Sequence, residues 1–272
     1  MTHYDLHGVS MPALGFGTWK LRGDDARRGV EHALAIGYRH LDTAQIYENE
    51  AEVGAALAAS GVARDDVFLT TKVWRDRVGP RDLGPSVDES LRKLGTDHVD
   101  LLLLHWPVLE IELEAQLEAL AAVREAGKAR LIGVSNYPEG LFRDALELVP
   151  DLATNQVEYH AMLGQPPLLG VVRERGLVLT AYSPLAQGDL LADETVRAVA
   201  EAHGAGPAQV ALAWLLGQDR VAAIPKASSD AHRQANLDAA GLTLTDDERA
   251  RLDALPKDRR GTDPSWGPDW DR

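Results

Sequence analysis

Eight short apolar runs recur along the chain, and nearly every gap between them is filled by a segment with helical periodicity. The runs are ALGFGT, RHLDTA, DVFLTTKV, VDLLLLH, RLIGVS, ATNQVEYH, LVLTAYS and VAAIPK. Between them lie amphipathic stretches such as DDARRGVEHALAIG, ENEAEVGAALAASG, RDLGPSVDESLRKLG and EAQLEALAAVREAG, several of which stop at a glycine: Gly37, Gly61, Gly95 and Gly127. Glycine is a common helix stop because it takes the left-handed conformation without a Cβ penalty. Strand and helix alternate over 272 residues with no long linker and no break in composition. That pattern predicts one (β/α)8 TIM barrel spanning residues 1–272, with an open doubly wound sheet as its rival.

Two segments exceed the repeat. DETVRAVAEAHGAG precedes the helix PAQVALAWLLGQ, and TDDERARLDALP follows the eighth helix; each is expected to be an added helix. The tail DRRGTDPSWGPDWDR is too rich in Pro, Gly and Asp to be helical, and its two tryptophans favour docking over the barrel mouth.

Composition then excludes whole classes of function. The chain has no cysteine, so it has no disulfide framework, thiolate metal site or cysteine nucleophile. Neither His-x-His nor His-Glu-x-x-His occurs, which leaves a metal hydrolase only the unpaired His40, His105 and His160 as ligands; no metal is expected. A formal charge of −14 argues against a nucleic-acid partner. No segment is apolar for long enough to span a membrane or to resemble a signal peptide, so the expectation is a cytoplasmic protein without a membrane partner. Gly15-x-Gly17 is followed by Lys20, so a dinucleotide fingerprint would lack its third glycine, and no Walker A sequence is present.

Polar residues stand at the C-terminal edges of three of the runs, where parallel α/β folds place their chemistry: Asp42, Lys72 and His105, with Tyr47 just beyond the first. A tyrosine with an ordinary pKa near 10 needs help to protonate a carbonyl oxygen at neutral pH. An adjacent ammonium, Lys72, favours the phenolate, and a buried carboxylate, Asp42, would hold that ammonium charged. A neutral His105 would orient the carbonyl. The carbonyl carbon then takes a hydride that no side chain supplies, which implies a nicotinamide cofactor. Taken singly, each residue also has an ordinary explanation: Asp42 a helix cap, Tyr47 a half-buried aromatic, Lys72 a solvated strand end, His105 a core histidine.

The segments GFGTWK, LDTAQIYENEAEVG, TTKVW, VDLLLLHWP, GVSNY, ATNQVEYH, AYSPLAQG and IPKAS, in that order from end to end, resemble the aldo-keto reductase superfamily. DTAQIYENEA and ATNQVE narrow the likeness to short bacterial members typified by 2,5-diketo-D-gluconate and methylglyoxal reductases. The resemblance implies a catalytic tetrad of Tyr47 as general acid, Lys72 and Asp42 as its tuning pair and His105 as the substrate-orienting group. It also implies an extended nicotinamide cofactor bound without a Rossmann fold. Ser135, Asn136 and Gln156 match the family's contacts to the carboxamide, and Tyr182 the ring stacked on nicotinamide. Ser183, Pro184, Leu185, Gln187 and Gly188 match the pyrophosphate loop. Gly17, Thr18, Trp19 and Asp42 are expected to border the cofactor near its reacting end, and Ile224, Pro225, Lys226, Ala227, Ser228, His232 and Asn236 at the adenosine end.

Here the chain departs from the family pattern. Many NADPH-dependent members carry Arg six residues after this Lys and Glu nine after it, whereas this chain has His232 and Ala235. Arginine grips a phosphate bidentately and stays charged, while an imidazole is only partly charged at neutral pH. NADPH preference carried by Lys226 and Ser228 is therefore expected, less exclusive than in members with the Arg and with some use of NADH. The substrate pocket is expected from Trp19, Tyr47, Trp74, His105, Trp106 and Trp266, with a short connection after His105. That suits small aldehydes, dicarbonyls and keto sugars, and a monomer is the family's common habit. A second functional class keeps the architecture as a nucleotide-binding regulatory or structural protein with little turnover.

Overall fold

A computed structural model describes residues 2–270. An N-terminal hairpin comes first, β1 (His3–Leu6) and β2 (Val9–Pro12). The sequence reading did not anticipate it. Its turn, His7-Gly8, has φ of 50° and 81°, the left-handed pair that a two-residue hairpin turn demands, so Gly8 was the available signal.

The barrel unit opens with β3 (Phe16–Gly17) and α1 (Gly23–Ile36), followed by β4 (His40–Asp42) and α2 (Glu50–Ala59). The next two units are β5 (Phe68–Val73) with α3 (Leu83–Leu94) and β6 (Val99–Leu104) with α4 (Leu113–Glu125). Then come β7 (Ala129–Ser135) with α5 (Glu139–Leu148) and β8 (Thr154–Glu158) with α6 (Pro166–Arg175). β9 (Val178–Tyr182) is followed by α7 (Glu194–His203) and α8 (Pro207–Leu216), and β10 (Val221–Ala223) by α9 (Asp230–Asp238) and α10 (Asp246–Asp253). All eight expected barrel strands are present, and α7 and α10 are the two added helices.

The eight strands β3 to β10 are parallel neighbours in sequence order. Backbone hydrogen bonds close the ring: Gly15 donates to Ala223 at 2.9 Å, Ala223 to Ala13 at 2.8 Å and Gly17 to Pro225 at 3.1 Å. Gly17 must be glycine for this closure, because a Cβ there would lie 2.6 Å from the carbonyl oxygen of Ile224.

Successive strand residues alternate between faces, so each strand divides its side chains between two cores. Leu69, Leu102, Leu104, Ile132 and Leu179 face outward and form one apolar core with the helices. Phe68, Leu101, Leu103, Leu131, Val178 and Ala222 face inward and pack on Leu6, Val9 and Met11 of the hairpin. The hairpin thus plugs the N-terminal end of the barrel with side chains. The same alternation carries Phe68 and Thr70 up to Lys72 and His40 up to Asp42, so the inner face becomes polar at its C-terminal end. Among the described residues no helix is long and apolar enough to cross a membrane.

Candidate active site

Strand ends and the loops after them surround a cavity of about 550 Å³ at the C-terminal mouth of the barrel. Asp42 ends β4, Lys72 lies near the end of β5, and His105 follows β6, its N–H donating to Val73 at 3.1 Å. Tyr47 sits in a 3-10 turn just after β4. The four residues foreseen from sequence therefore converge.

Lys72 has no exposed side-chain surface, and its ammonium donates to Asp42 Oδ1 at 2.5 Å, to the Thr43 carbonyl at 2.9 Å and to Tyr47 Oη at 3.5 Å. Gln156 Nε2 donates to the other oxygen of Asp42 at 2.8 Å. Both carboxylate oxygens are thus occupied, as a buried charge requires. Burial lowers the pKa of Lys72, and Asp42 works against that by favouring the charged form.

Sequence reasoning expected Lys72 to lower the pKa of Tyr47. Instead burial, with the negative charge of Asp42 second, pushes the phenol well above its usual range. The ammonium is already neutralised by Asp42, so it acts on Tyr47 as one half of an ion pair. His105 is held well below its usual pKa by burial and by Lys72, so its ring is neutral. Its Nδ1 is buried with no hydrogen-bond partner. The ring meets Tyr47 edge-on at 5.7 Å and Trp74 at 5.2 Å.

Trp19, Tyr47, Trp74, His105 and Trp106 form the aromatic part of the cavity wall, with Ile46 beside them. Trp266 stands one layer behind that wall: it meets Trp74 edge-on at 5.9 Å and Trp106 edge-on at 5.1 Å, with the Arg75 guanidinium over its ring at 4.5 Å. The tail is therefore docked over the mouth, as its tryptophans suggested, up to Trp270, the last described residue.

Of the residues matched to the cofactor, Gly17, Trp19, Asp42, Asn136, Gln156, Tyr182, Ser183, Pro184, Leu185, Gln187, Gly188, Ile224, Pro225 and Lys226 border the cavity. Thr18 and Ser135 lie behind it, their hydroxyls donating to the carbonyls of Asp42 at 3.0 Å and Gln156 at 2.8 Å. Ala227 and Asn236 are buried, while His232 is exposed at the start of α9. Ser228 accepts from Lys226 Nζ at 2.8 Å. Arg233, next to His232, points away: it is buried and donates to the Ala227 carbonyl at 3.0 Å and to His32 at 3.2 Å. Lys20, Ile46, Leu191 and Thr262 also border the cavity and were given no site role from sequence, although Lys20 and Ile46 lie within GFGTWK and LDTAQIYENEAEVG.

The cavity's polar chemistry fits an extended dinucleotide. Asn136 donates to the His105 carbonyl at 2.9 Å and accepts from Tyr182 Oη at 2.7 Å, which fixes the edge of the Tyr182 ring. Gln156 spends its amide N–H on Asp42 and keeps Oε1 as an acceptor. In the loop after β9, Ser183, Ala186, Gln187 and Gly188 all have positive φ, of 46°, 50°, 54° and 111°. Consecutive left-handed residues turn backbone N–H groups toward one side and suit an anion, and strain at non-glycine positions is what functional loops retain. Lys226 supplies a cation on the adjoining strand end.

The chain matches the model of the aldo/keto reductase family over residues 13–257. It is 39% identical over 268 residues to the methylglyoxal reductase DkgB of Escherichia coli O157:H7, covering 97% of this chain and 100% of that one. It is 40% identical over 261 residues to a glyoxal reductase of Bacillus subtilis strain 168, covering 94% and 93%. A crystal structure of a protein assigned as 2,5-diketo-D-gluconic acid reductase B superposes with a TM-score of 0.97 at 44% identity, over 100% of this chain and 98% of that one.

Proposed function

Because the chain belongs to the aldo/keto reductase family and is an oxidoreductase acting on carbonyls, we propose that it reduces small aldehydes, dicarbonyls or keto sugars to alcohols with NADPH. The observation that carries this reading is the convergence of Tyr47, the Lys72–Asp42 pair and a neutral His105 on one aromatic-walled cavity. A reduced nicotinamide dinucleotide, when held by the cavity residues, would supply the hydride for the carbonyl carbon.

The chain's own residues do the rest. Tyr47, kept protonated by its buried setting, gives its proton to the carbonyl oxygen as negative charge develops there. Lys72 stabilises the phenolate left behind, and Asp42 holds that ammonium charged in a site where burial opposes the charge. The neutral imidazole of His105 orients the carbonyl oxygen by a hydrogen bond. Trp19, Trp74 and Trp106 exclude water and leave room for a small substrate. Gln156, Asn136 and Tyr182 would hold the carboxamide end of the cofactor, the Ser183–Gly188 backbone the pyrophosphate, and Lys226 with Ser228 the adenosine phosphate.

Methylglyoxal is the natural first substrate to test, since a relative 39% identical is named for reducing it. Mixing the protein with NADPH and methylglyoxal should give loss of the reduced-nicotinamide absorbance. Nucleotide binding without oxidation across a panel of aldehydes and keto sugars would identify a binding module instead.

A further inference from the structure

The mechanism leaves a buried carboxylate at the barrel mouth unused. Glu158 ends β8 at the barrel mouth with no exposed side-chain surface. Its Oε1 accepts from the backbone N–H of Gly261 at 2.9 Å, and Oε2 from Gly261 at 3.1 Å and Thr262 at 2.8 Å. His160, equally buried, stands 3.3 Å from Oε1. A carboxylate that gathers successive backbone N–H groups makes strong, charge-assisted hydrogen bonds, and here both N–H groups belong to the C-terminal tail.

Gly261 is also tied to the opposite side. Its carbonyl accepts from Gln187 Nε2 at 3.3 Å, and Arg259 pairs with Asp189 at 2.7 Å. A Cβ on Gly261 would lie 2.8 Å from Gln187 Nε2 and 2.9 Å from Glu158 Oε1, so the tail backbone is wedged between the end of β8 and the loop after β9. Beyond this joint Thr262 borders the cavity and Trp266 meets Trp74 and Trp106 edge-on. The Arg259–Asp189 pair is largely exposed and contributes little, and the Arg259 N–H donates to the Met162 carbonyl at 3.0 Å upstream, so Glu158 is the side chain that anchors the tail at Gly261 and Thr262 themselves.

We infer that Glu158 is a positioning residue: it pins the tail at Gly261–Thr262 so that one strap braces both the Gln187–Gly188 loop and the Trp74–Trp106 wall. Closure of the cofactor loop and of the substrate wall are thereby coupled through a single backbone segment. The inference rests on the proposed reading of those two surfaces as cofactor and substrate sites.

Glu158→Gln tests it. The amide has the same size but no charge. With its oxygen in the Oε2 place it still meets Gly261 and Thr262, but without charge assistance and with its NH2 against the Gly261 N–H; turned the other way it leaves Thr262 without an acceptor. Arg259 and Arg260 immediately precede the joint and are trypsin sites whose cleavage needs the tail to lift. Tryptic release of the Trp266-containing peptide should accelerate about tenfold, the size expected from losing one charge-assisted hydrogen bond. KM for both NADPH and methylglyoxal should rise about fivefold, with kcat changing less than KM. Gly261→Ala should show the same split, and it decides the matter if Glu158→Gln does not fold. Unchanged cleavage and KM, or a loss confined to kcat, would overturn the inference. A wild-type protein that failed to oxidise NADPH with any of the carbonyls would overturn the functional reading instead, while the difference in cleavage would still report the anchor.

Discussion

Gln156 Nε2 donates to Asp42 Oδ2 at 2.8 Å, so the carboxylate that holds Lys72 is itself held from the far side of the barrel. The two residues are 114 positions apart in sequence, on β4 and β8. Asp42 is therefore the centre of a buried Lys72–Asp42–Gln156 chain, with the Lys72 ammonium shared between the carboxylate and Tyr47.

Asp42→Asn should be costly in two ways. It leaves the fully buried Lys72 without its counter-charge, and breaking a buried pair in this manner costs about 3–5 kcal/mol. The lysine then loses its ammonium, and with it the group that stabilises the Tyr47 phenolate. Urea unfolding should show a lower midpoint at unchanged slope, and kcat should fall with it. Wild-type stability in the variant would show that solvent, not Asp42, satisfies Lys72.

Tyr47→Phe isolates the proton transfer. Removing a general acid typically costs about 10²- to 10⁴-fold in rate, while the ring and its edge-on contact with His105 remain. Steady-state kinetics should give that loss in kcat, and fluorescence titration should give wild-type affinity for NADPH. A loss below about tenfold would assign the proton to another group.

The barrel and the convergence of Asp42, Tyr47, Lys72 and His105 were legible in sequence for the same reason. Alternation puts His40 and Asp42, or Thr70 and Lys72, on one face, and strand ends bring such residues to one rim. The hairpin was overlooked because four-residue strands around His7-Gly8 carry a weak pattern beside the long barrel repeat. The Gln156–Asp42 bond and the Glu158–Gly261 joint are contacts across 114 and 103 positions whose partners are fixed by the ring's closure, not by local spacing. Likewise Lys20, Ile46 and Thr262 reach the cavity only because loops fold over it.

Acid should destabilise the protein in a defined window. Burial, reinforced by Lys72, lowers the pKa of His105, and burial lowers that of His40 against the opposing charge of Asp42. Each ring stays neutral when folded but protonates near pH 6.5 when unfolded, so below about pH 6.5 the unfolded chain binds more protons. Stability is then full above about pH 6.5 and is lost as pH falls toward the lowered folded values. Melting temperature should be flat above that point and decline below it. His105→Asn should flatten part of the decline, and an unchanged slope would place the acid sensitivity in the carboxylates. The activity profile should differ: with Tyr47 pushed well above its ordinary range, turnover should hold through neutral pH and decline only in strong alkali.

On the proposed NADPH reading, cofactor choice should depend on His232. Its N–H is capped by Ser229 Oγ at 3.2 Å, which fixes the first turn of α9, and its side chain is exposed there. The neighbouring Arg233 is committed to Ala227, His32 and Asp230, so it cannot substitute as a phosphate ligand. Lys226 and Ser228, joined at 2.8 Å, are left to meet the adenosine phosphate that distinguishes NADPH from NADH. His232→Arg adds a permanently charged, bidentate donor at the same helix position, where a side chain already lies free in solvent. The kcat/KM ratio of NADPH over NADH should rise about tenfold, the increment of one charge-assisted phosphate contact, with the NADH value unchanged. Raising ionic strength should shrink that gain, because an exposed guanidinium–phosphate contact is screened. Equal gains for both cofactors, or none for either, would place the phosphate away from α9 and return the preference to Lys226 alone.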